Sequence, residues 1–251
     1  MSRKIQERTL TDTAFFTQHR KKRAGKRIMA KKYAAFFDLD HTILSESTGR
    51  LYVPFALEKK YFKRTDIIFA LYTRFLQRAG IISIDQSIER WVKKLKDWPS
   101  HEFESTSVEF FHEYVKPCIR PGLNTEISDH RDRGAATAIL SASLDFICEP
   151  VRRFLEMDDI LCTELETEDG RYTGRLKERY CYGMEKLRRA EGYCDRHGFP
   201  LADSYYYADS YADLPVLEKV KHPVCVTPSL KLRKTALSRG WKIMDYTAGG
   251  G

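Results

Sequence analysis

Two carboxylates one residue apart, Asp38 and Asp40, follow the apolar stretch Tyr33-Ala34-Ala35-Phe36-Phe37 and precede Thr42-Ile43-Leu44. Side chains two residues apart on an extended chain point the same way, so both acids converge at the carboxyl end of a buried strand, where open α/β sheets place their ligands. Converging carboxylates repel each other unless a cation or a proton joins them. The bland alternative is a solvated Asp pair in a turn or an acidic helix cap; it leaves the apolar strand in front of the pair unexplained. Three further places carry residues suited to an anionic oxygen or a cation. Ser141 ends the run Ala135-Ala136-Thr137-Ala138-Ile139-Leu140, Lys186 lies in the first turn of a helix opening at Gly183-Met184-Glu185, and Asp209 and Asp213 follow Ser204-Tyr205-Tyr206-Tyr207-Ala208. Each has an ordinary reading alone: Ser141 as the cap of a helix over 144–155, Lys186 as a surface lysine. A lysine in a first helical turn is nevertheless opposed by the macrodipole, which hints at a nearby anion.

The pattern around these residues defines the elements that must carry them. From Glu46 to about Val115 apolar residues recur at helical offsets: Leu51, Phe55, Leu57, Ile67, Ile68, Leu71, Phe75 and Leu76, then, beyond Gly80, Ile88, Trp91, Val92, Leu95, Phe103, Val108, Phe110, Phe111 and Tyr114. This reads as a helical insertion whose stripe forms bundle core rather than pocket lining. After Pro117 and Pro121, helix and strand alternate again. The polar stretch Gly122 to Arg133 predicts a helix, 135–140 a second buried strand, and Asp169-Gly170 between alternating segments predicts a hairpin over 164–176. The expected class is α/β, with a tail over 1–32, a core domain over 33–45 and 116–247, and a helical domain over 46–115.

With 251 residues, 42% of them hydrophobic, the chain can bury a substantial core. Its formal charge of +8 belongs to the tail: residues 1–32 carry 11 basic and two acidic residues, and the remainder 32 and 33. Arg20-Lys21-Lys22-Arg23 with Lys26-Arg27 can contact an anionic membrane or nucleic acid, or serve as a solubilising tail. Six cysteines without Cys-x-x-Cys spacing read as reduced, mostly buried residues of a cytoplasmic protein. No apolar run approaches the roughly 18 residues of a membrane span.

Taken in order, Asp-Leu-Asp-His-Thr at 38–42, Ser141 at a strand end, Lys186 at a helix start, and Asp-Ser-Tyr-Ala-Asp-Leu-Pro at 209–215 resemble the haloacid dehalogenase superfamily. Within it they are most similar to the phosphoserine-phosphatase-like subfamily, whose helical cap lies between the first and second motifs. The resemblance spans Tyr33 to Tyr246 and implies a Rossmann-like core with a parallel sheet, Mg²⁺ as cofactor and a small-molecule phosphomonoester as substrate.

It also implies roles. Asp38 would be the nucleophile that forms an aspartyl-phosphate, and Asp40 the acid that protonates the leaving oxygen and later activates water. The metal would take the Asp38 carboxylate, the Asp40 backbone carbonyl and the Asp209 carboxylate. Asp213 would position a metal-bound water, Ser141 and Lys186 would hold the phosphoryl oxygens, and Thr42 would support the loop. Two departures point away from phosphoserine: Ser47, with Glu46 beside it, stands where phosphoserine phosphatases carry an amine-recognising Glu, and Ala212 stands where they carry Asn. The expected substrate is therefore another small organic or phospholipid-derived phosphate. The alternatives are phosphoserine itself, a phosphotransferase using the same intermediate, and, from a different class, a phosphoryl-accepting signalling or binding module.

Overall fold

The computed structural model describes residues 31–78 and 81–246, which belong to one compact unit. The basic segment 1–30 and the membrane or nucleic-acid contact expected of it lie outside the described residues. A six-stranded sheet organises the rest, in the order β3-β2-β1-β6-β7-β8. Its strands are β1 (Ala34–Phe37), β2 (Ala136–Leu144), β3 (Asp159–Thr163), β6 (Tyr205–Ala208), β7 (His222–Val226) and β8 (Lys242–Met244). All neighbours pair parallel. Parallel strands need both faces covered, which is why β1 and the first half of β2 read as continuous apolar runs.

Helices α5 (Pro121–Asp132) and α6 (Asp145–Phe154) bury Leu123, Ile127, Cys148 and Val151 with Phe37, Ile139 and Tyr207 on one face. On the other face α7 (Met184–His197), α8 (Leu214–Leu217) and α9 (Leu230–Arg239) bury Leu187, Ala190, Val216, Leu217, Leu232 and Ala236 with Phe36, Ala138 and Tyr206. The protein is thus an α/β fold of Rossmann-like architecture with helices on both sides of a parallel sheet. The Asp169-Gly170 signal is a hairpin between β4 (Leu165–Glu168) and β5 (Arg171–Leu176), both turn residues having the positive φ (49° and 73°) that a tight hairpin needs.

Between β1 and α5 lie α1 (Thr48–Glu58), α2 (Arg64–Arg78), α3 (Ile84–Val92) and α4 (Ser100–Phe110). The chain leaves and returns side by side: Leu44 bridges Ile119, Ser45 N–H donates to the Cys118 carbonyl at 2.8 Å, and Arg120 N–H to the Ile43 carbonyl at 2.9 Å. Phe55, Phe103 and Phe110 form aromatic core here, as their periodicity predicts. Ile68, Leu71 and Phe75 do not: together with Tyr72 they stand 56–66% exposed on α2. Helical periodicity gathers residues on one face without saying whether anything covers it.

The six cysteines are free, Cys118 half-buried and the others buried. Among the described residues no helix is long and apolar enough to cross a membrane.

Candidate active site

The parallel register brings the strand ends together. Phe37 pairs with Ile139 on β2 and Tyr207 on β6, and Asp38 N–H donates to the Tyr207 carbonyl at 2.9 Å. Asp38 and Asp209 therefore follow their strands at the same edge of the sheet, and Ser141, two residues beyond Ile139 but still within β2, stands level with them. Beyond Asp38 the chain makes one wide turn over Leu39–Ile43, with Asp40 extended (φ −67°, ψ 131°) and His41 left-handed (φ 57°, ψ −1°). A left-handed non-glycine residue costs about 1–3 kcal/mol and persists only where its surroundings impose it. Here Ile43 N–H returns to the Asp38 carbonyl at 3.3 Å and Leu44 N–H to the Leu39 carbonyl at 3.0 Å.

Lys186 comes from the opposite direction. Gly183, at φ 54° and ψ −119°, turns the chain into α7, and buried Arg189 ties that helix to the backbone by donating to the carbonyls of Cys162 and Arg179. Lys186 is buried, not the surface lysine that its position alone would suggest. Its ammonium bonds Asp38 Oδ1 at 2.9 Å, Asp213 Oδ1 at 2.7 Å and the Tyr206 hydroxyl at 3.2 Å. Tyr206 in turn donates to Asp213 Oδ1 at 2.7 Å. Asp213 is carried back toward the strand end by a short turn whose Ser210 side chain accepts from Ala212 N–H at 3.2 Å. Carboxylate oxygens of Asp38, Asp209 and Asp213 lie within 4.8 Å of one another.

Burial without enough positive charge governs the electrostatics. Burial pushes Asp38 up to about 7, with Lys186 pulling it down and Asp213 pushing it up. Asp209 rises to about 8, through burial first and then repulsion from Asp38 and Asp213. Burial works against the charge on Lys186, but Asp213 and Asp38 outweigh it and hold the ammonium well above its ordinary value. Three carboxylates sharing one ammonium need further positive charge to be ionised together. Their all-oxygen donor set suits a hard divalent cation such as Mg²⁺.

Asp40 lies apart from that trio. Its Oδ1 accepts from Thr48 N–H at 2.8 Å, and its Oδ2 from the Thr48 hydroxyl at 3.2 Å and the Ser143 hydroxyl at 3.4 Å. Burial raises its carboxyl while the Thr48 bonds lower it. Ser141 is buried within β2, which runs on to Leu144 instead of ending at residue 140, and its Oγ accepts from Ser143 N–H at 3.2 Å. It does not cap the following helix, whose N-cap is Leu144. Thr42 is fully buried, yet its hydroxyl finds no hydrogen-bond partner among the described residues; the turn is held by backbone bonds instead. Sequence reasoning missed Tyr206, Thr48 and Ser143 as site residues. For Tyr206 a signal existed, because a buried tyrosine on a central strand needs a partner for its hydroxyl.

The family model for haloacid dehalogenase-like hydrolases matches residues 35–218. The chain belongs to that family. Curated relatives of this hydrolase include a probable phosphatase of Mycobacterium tuberculosis, 31% identical over 217 residues, which are 85% of this chain and 75% of that one. A histidinol-phosphatase of Neisseria meningitidis serogroup C is 29% identical over 221 residues, 86% and 99% of the two chains. A solved phosphoserine phosphatase, a phospho-aspartyl intermediate analogue, shares the fold at 19% identity and a TM-score of 0.59, over 86% of this chain and 94% of that one. The hydrolase is accordingly a phosphatase of this family with a phosphoserine-phosphatase-like fold.

Proposed function

We propose that the protein is a Mg²⁺-dependent phosphomonoester hydrolase working through an aspartyl-phosphate at Asp38. The observation that carries this reading is the buried Asp38–Lys186–Asp213 bridge, with Asp209 completing a carboxylate trio around it. A phosphate dianion repels a carboxylate nucleophile, so the site must supply cations. Lys186 is one; Mg²⁺, held by Asp38 and Asp209, with Asp213 beside them and the Asp40 carbonyl as the expected further ligand, would supply the rest by neutralising phosphoryl charge.

Lys186 occupies Oδ1 of Asp38, which leaves the other oxygen to attack. That oxygen bonds to phosphorus as the ester P–O bond breaks, and Asp40 gives its proton to the departing alkoxide. In the second half Asp40 takes a proton from water, the water oxygen bonds to phosphorus, and the P–O bond to Asp38 breaks to release inorganic phosphate. Ser141 and Lys186 hold the phosphoryl oxygens throughout.

Residues 46–115 act as a cap over this site and select the leaving group, since the core residues address only phosphate and metal. One helical turn beyond Thr48, Tyr52 packs on Phe146 of α6 with ring centroids 5.9 Å apart, and Phe146 lies 5.5 Å from Phe103 of α4. The Tyr52 hydroxyl is buried with no hydrogen-bond partner among the described residues. Tyr52, one helical turn beyond the residue that bonds Asp40, is the aromatic side chain through which the cap favours a small alcohol with apolar or ring character, consistent with the histidinol-phosphatase relative. Purified protein with Mg²⁺ should be tested on histidinol phosphate, phosphoserine, glycerol phosphate, and alkyl and aryl phosphates, with alcohols added to reveal transfer. Ring-bearing or apolar esters should be preferred and water should be the acceptor. A strong preference for phosphoserine would overturn the substrate class, and hydrolysis of none would overturn the function.

A further inference from the structure

Asp40 does not stand in the site by itself. Its carboxyl is clamped where two elements from opposite sides meet, the first residue of α1 and the end of β2. Thr48 N–H, an orphan amide of the first helical turn, bonds Oδ1 at 2.8 Å. The Thr48 and Ser143 hydroxyls lie 2.8 Å from each other and 3.2 and 3.4 Å from Oδ2. Two hydroxyl protons serve these three contacts, so one hydroxyl donates to the other and the pair can run in either direction. When Oδ2 carries no proton, one hydroxyl donates to it and the other donates to its neighbour; when Oδ2 carries the proton, it donates to one hydroxyl and the chain reverses. An amide N–H cannot reverse in this way, so Oδ1 is fixed as the acceptor and the proton is favoured on Oδ2.

We propose that Thr48 and Ser143 are positioning residues that hold Asp40 in one orientation through both halves of the reaction. This rests on the reading of Asp40 as the acid and base. The orientation depends on the first turn of α1 staying docked against the end of β2. Thr48 is 2% exposed, so water does not replace it readily.

The test compares an ester whose leaving group needs a proton with one that hardly does. A simple alkyl phosphate leaves as a strongly basic alkoxide, whereas p-nitrophenyl phosphate leaves as a stable phenolate. Thr48→Val and Ser143→Ala should each lower kcat/KM for the alkyl ester about 10-fold, a fraction of the ~10²–10⁴-fold that positioned acid catalysis supplies, and change the p-nitrophenyl ester by less than about 3-fold. Thr48→Ser and Ser143→Thr, which keep the hydroxyls, should restore the alkyl rate. Asp40→Asn, measured alongside, separates the two readings. If Asp40→Asn is selective for the alkyl ester while the Thr48 and Ser143 variants slow both esters alike or neither, the positioning role is overturned and the acid stands. If Asp40→Asn is itself unselective, the acid assignment fails and the positioning role fails with it.

Discussion

Tyr206 and Tyr207 are neighbours on one strand, yet they serve buried polar networks of opposite character. Side chains alternate across a sheet, so Tyr206 reaches toward α7 and Tyr207 toward α5. On the α5 side, fully buried His130 lies between two hydroxyls, with Nδ1 3.0 Å from Tyr33 and Nε2 2.8 Å from Tyr207. Tyr207 donates its own proton to Glu126 at 2.7 Å, which makes it the acceptor of a His130 Nε2–H and leaves Nδ1 to accept from Tyr33. The two hydroxyls and the ring N–H each have an acceptor, Arg133 Nη2 approaches Nδ1 at 3.3 Å as a second donor, and burial, aided by the Arg133 charge, pushes His130 down to about 4, keeping it neutral. On the α7 side one ammonium meets three carboxylates, two of them pushed up into the neutral range. The satisfied network stabilises the fold. The unbalanced one is what a site for cation and phosphate requires, and it must destabilise the empty protein.

The sharpest way to break the comparison is to remove one member from each side. Asp38→Asn should lower the Mg²⁺-supported rate on p-nitrophenyl phosphate at least ~10³-fold, whereas Tyr207→Phe should leave it within about 3-fold. Equal losses in the two variants would dissolve the distinction. Lys186→Met strands Asp38 and Asp213 without their ammonium and should cost about 3–5 kcal/mol in urea unfolding. Millimolar Mg²⁺ should recover part of that loss, because a ligand that binds only the folded state stabilises it.

Acid titration probes the other side. His130 is held to about 4 when folded against about 6.5 when unfolded. The unfolded chain therefore takes up a proton first: this contribution to stability is intact above pH 6.5, falls as pH drops toward 4, and amounts to about 3 kcal/mol at most. His130→Gln, which keeps one donor and one acceptor, should flatten that part of the stability profile. The smallest effect is expected for Tyr206→Phe, which removes one hydroxyl from Lys186 and Asp213 and should cost about 1 kcal/mol in urea unfolding.

What the sequence revealed followed the range of the interaction. The β1 strand, the Asp169-Gly170 hairpin and the helix opening at Gly183 rest on neighbouring residues, and each was legible within one or two positions. The convergence of Asp38, Lys186, Asp209 and Asp213 was legible through the family resemblance of the motif order; strand-end geometry alone paired Asp38 with Asp40, whose carboxylate instead bonds Thr48 and Ser143 because the chain turns after Asp38. Thr48 and Ser143 were not, because their contact joins residues 95 apart and neither belongs to a motif. The exposed face of α2 was misread as bundle core for a related reason: the period of Ile68, Leu71 and Phe75 defines a face, and only tertiary structure defines its neighbour.

The covalent step is the centre of the account, and trapping it is the direct test. Enzyme mixed with Mg²⁺ and p-nitrophenyl phosphate, quenched in acid within a turnover and digested, should yield a phosphoryl adduct on the peptide carrying Asp38, accompanied by a burst of nitrophenol ahead of phosphate. The adduct should be absent from Asp38→Asn. Nitrophenol and phosphate released in step with no adduct, or an adduct that survives in Asp38→Asn, would contradict the assignment of Asp38 as nucleophile.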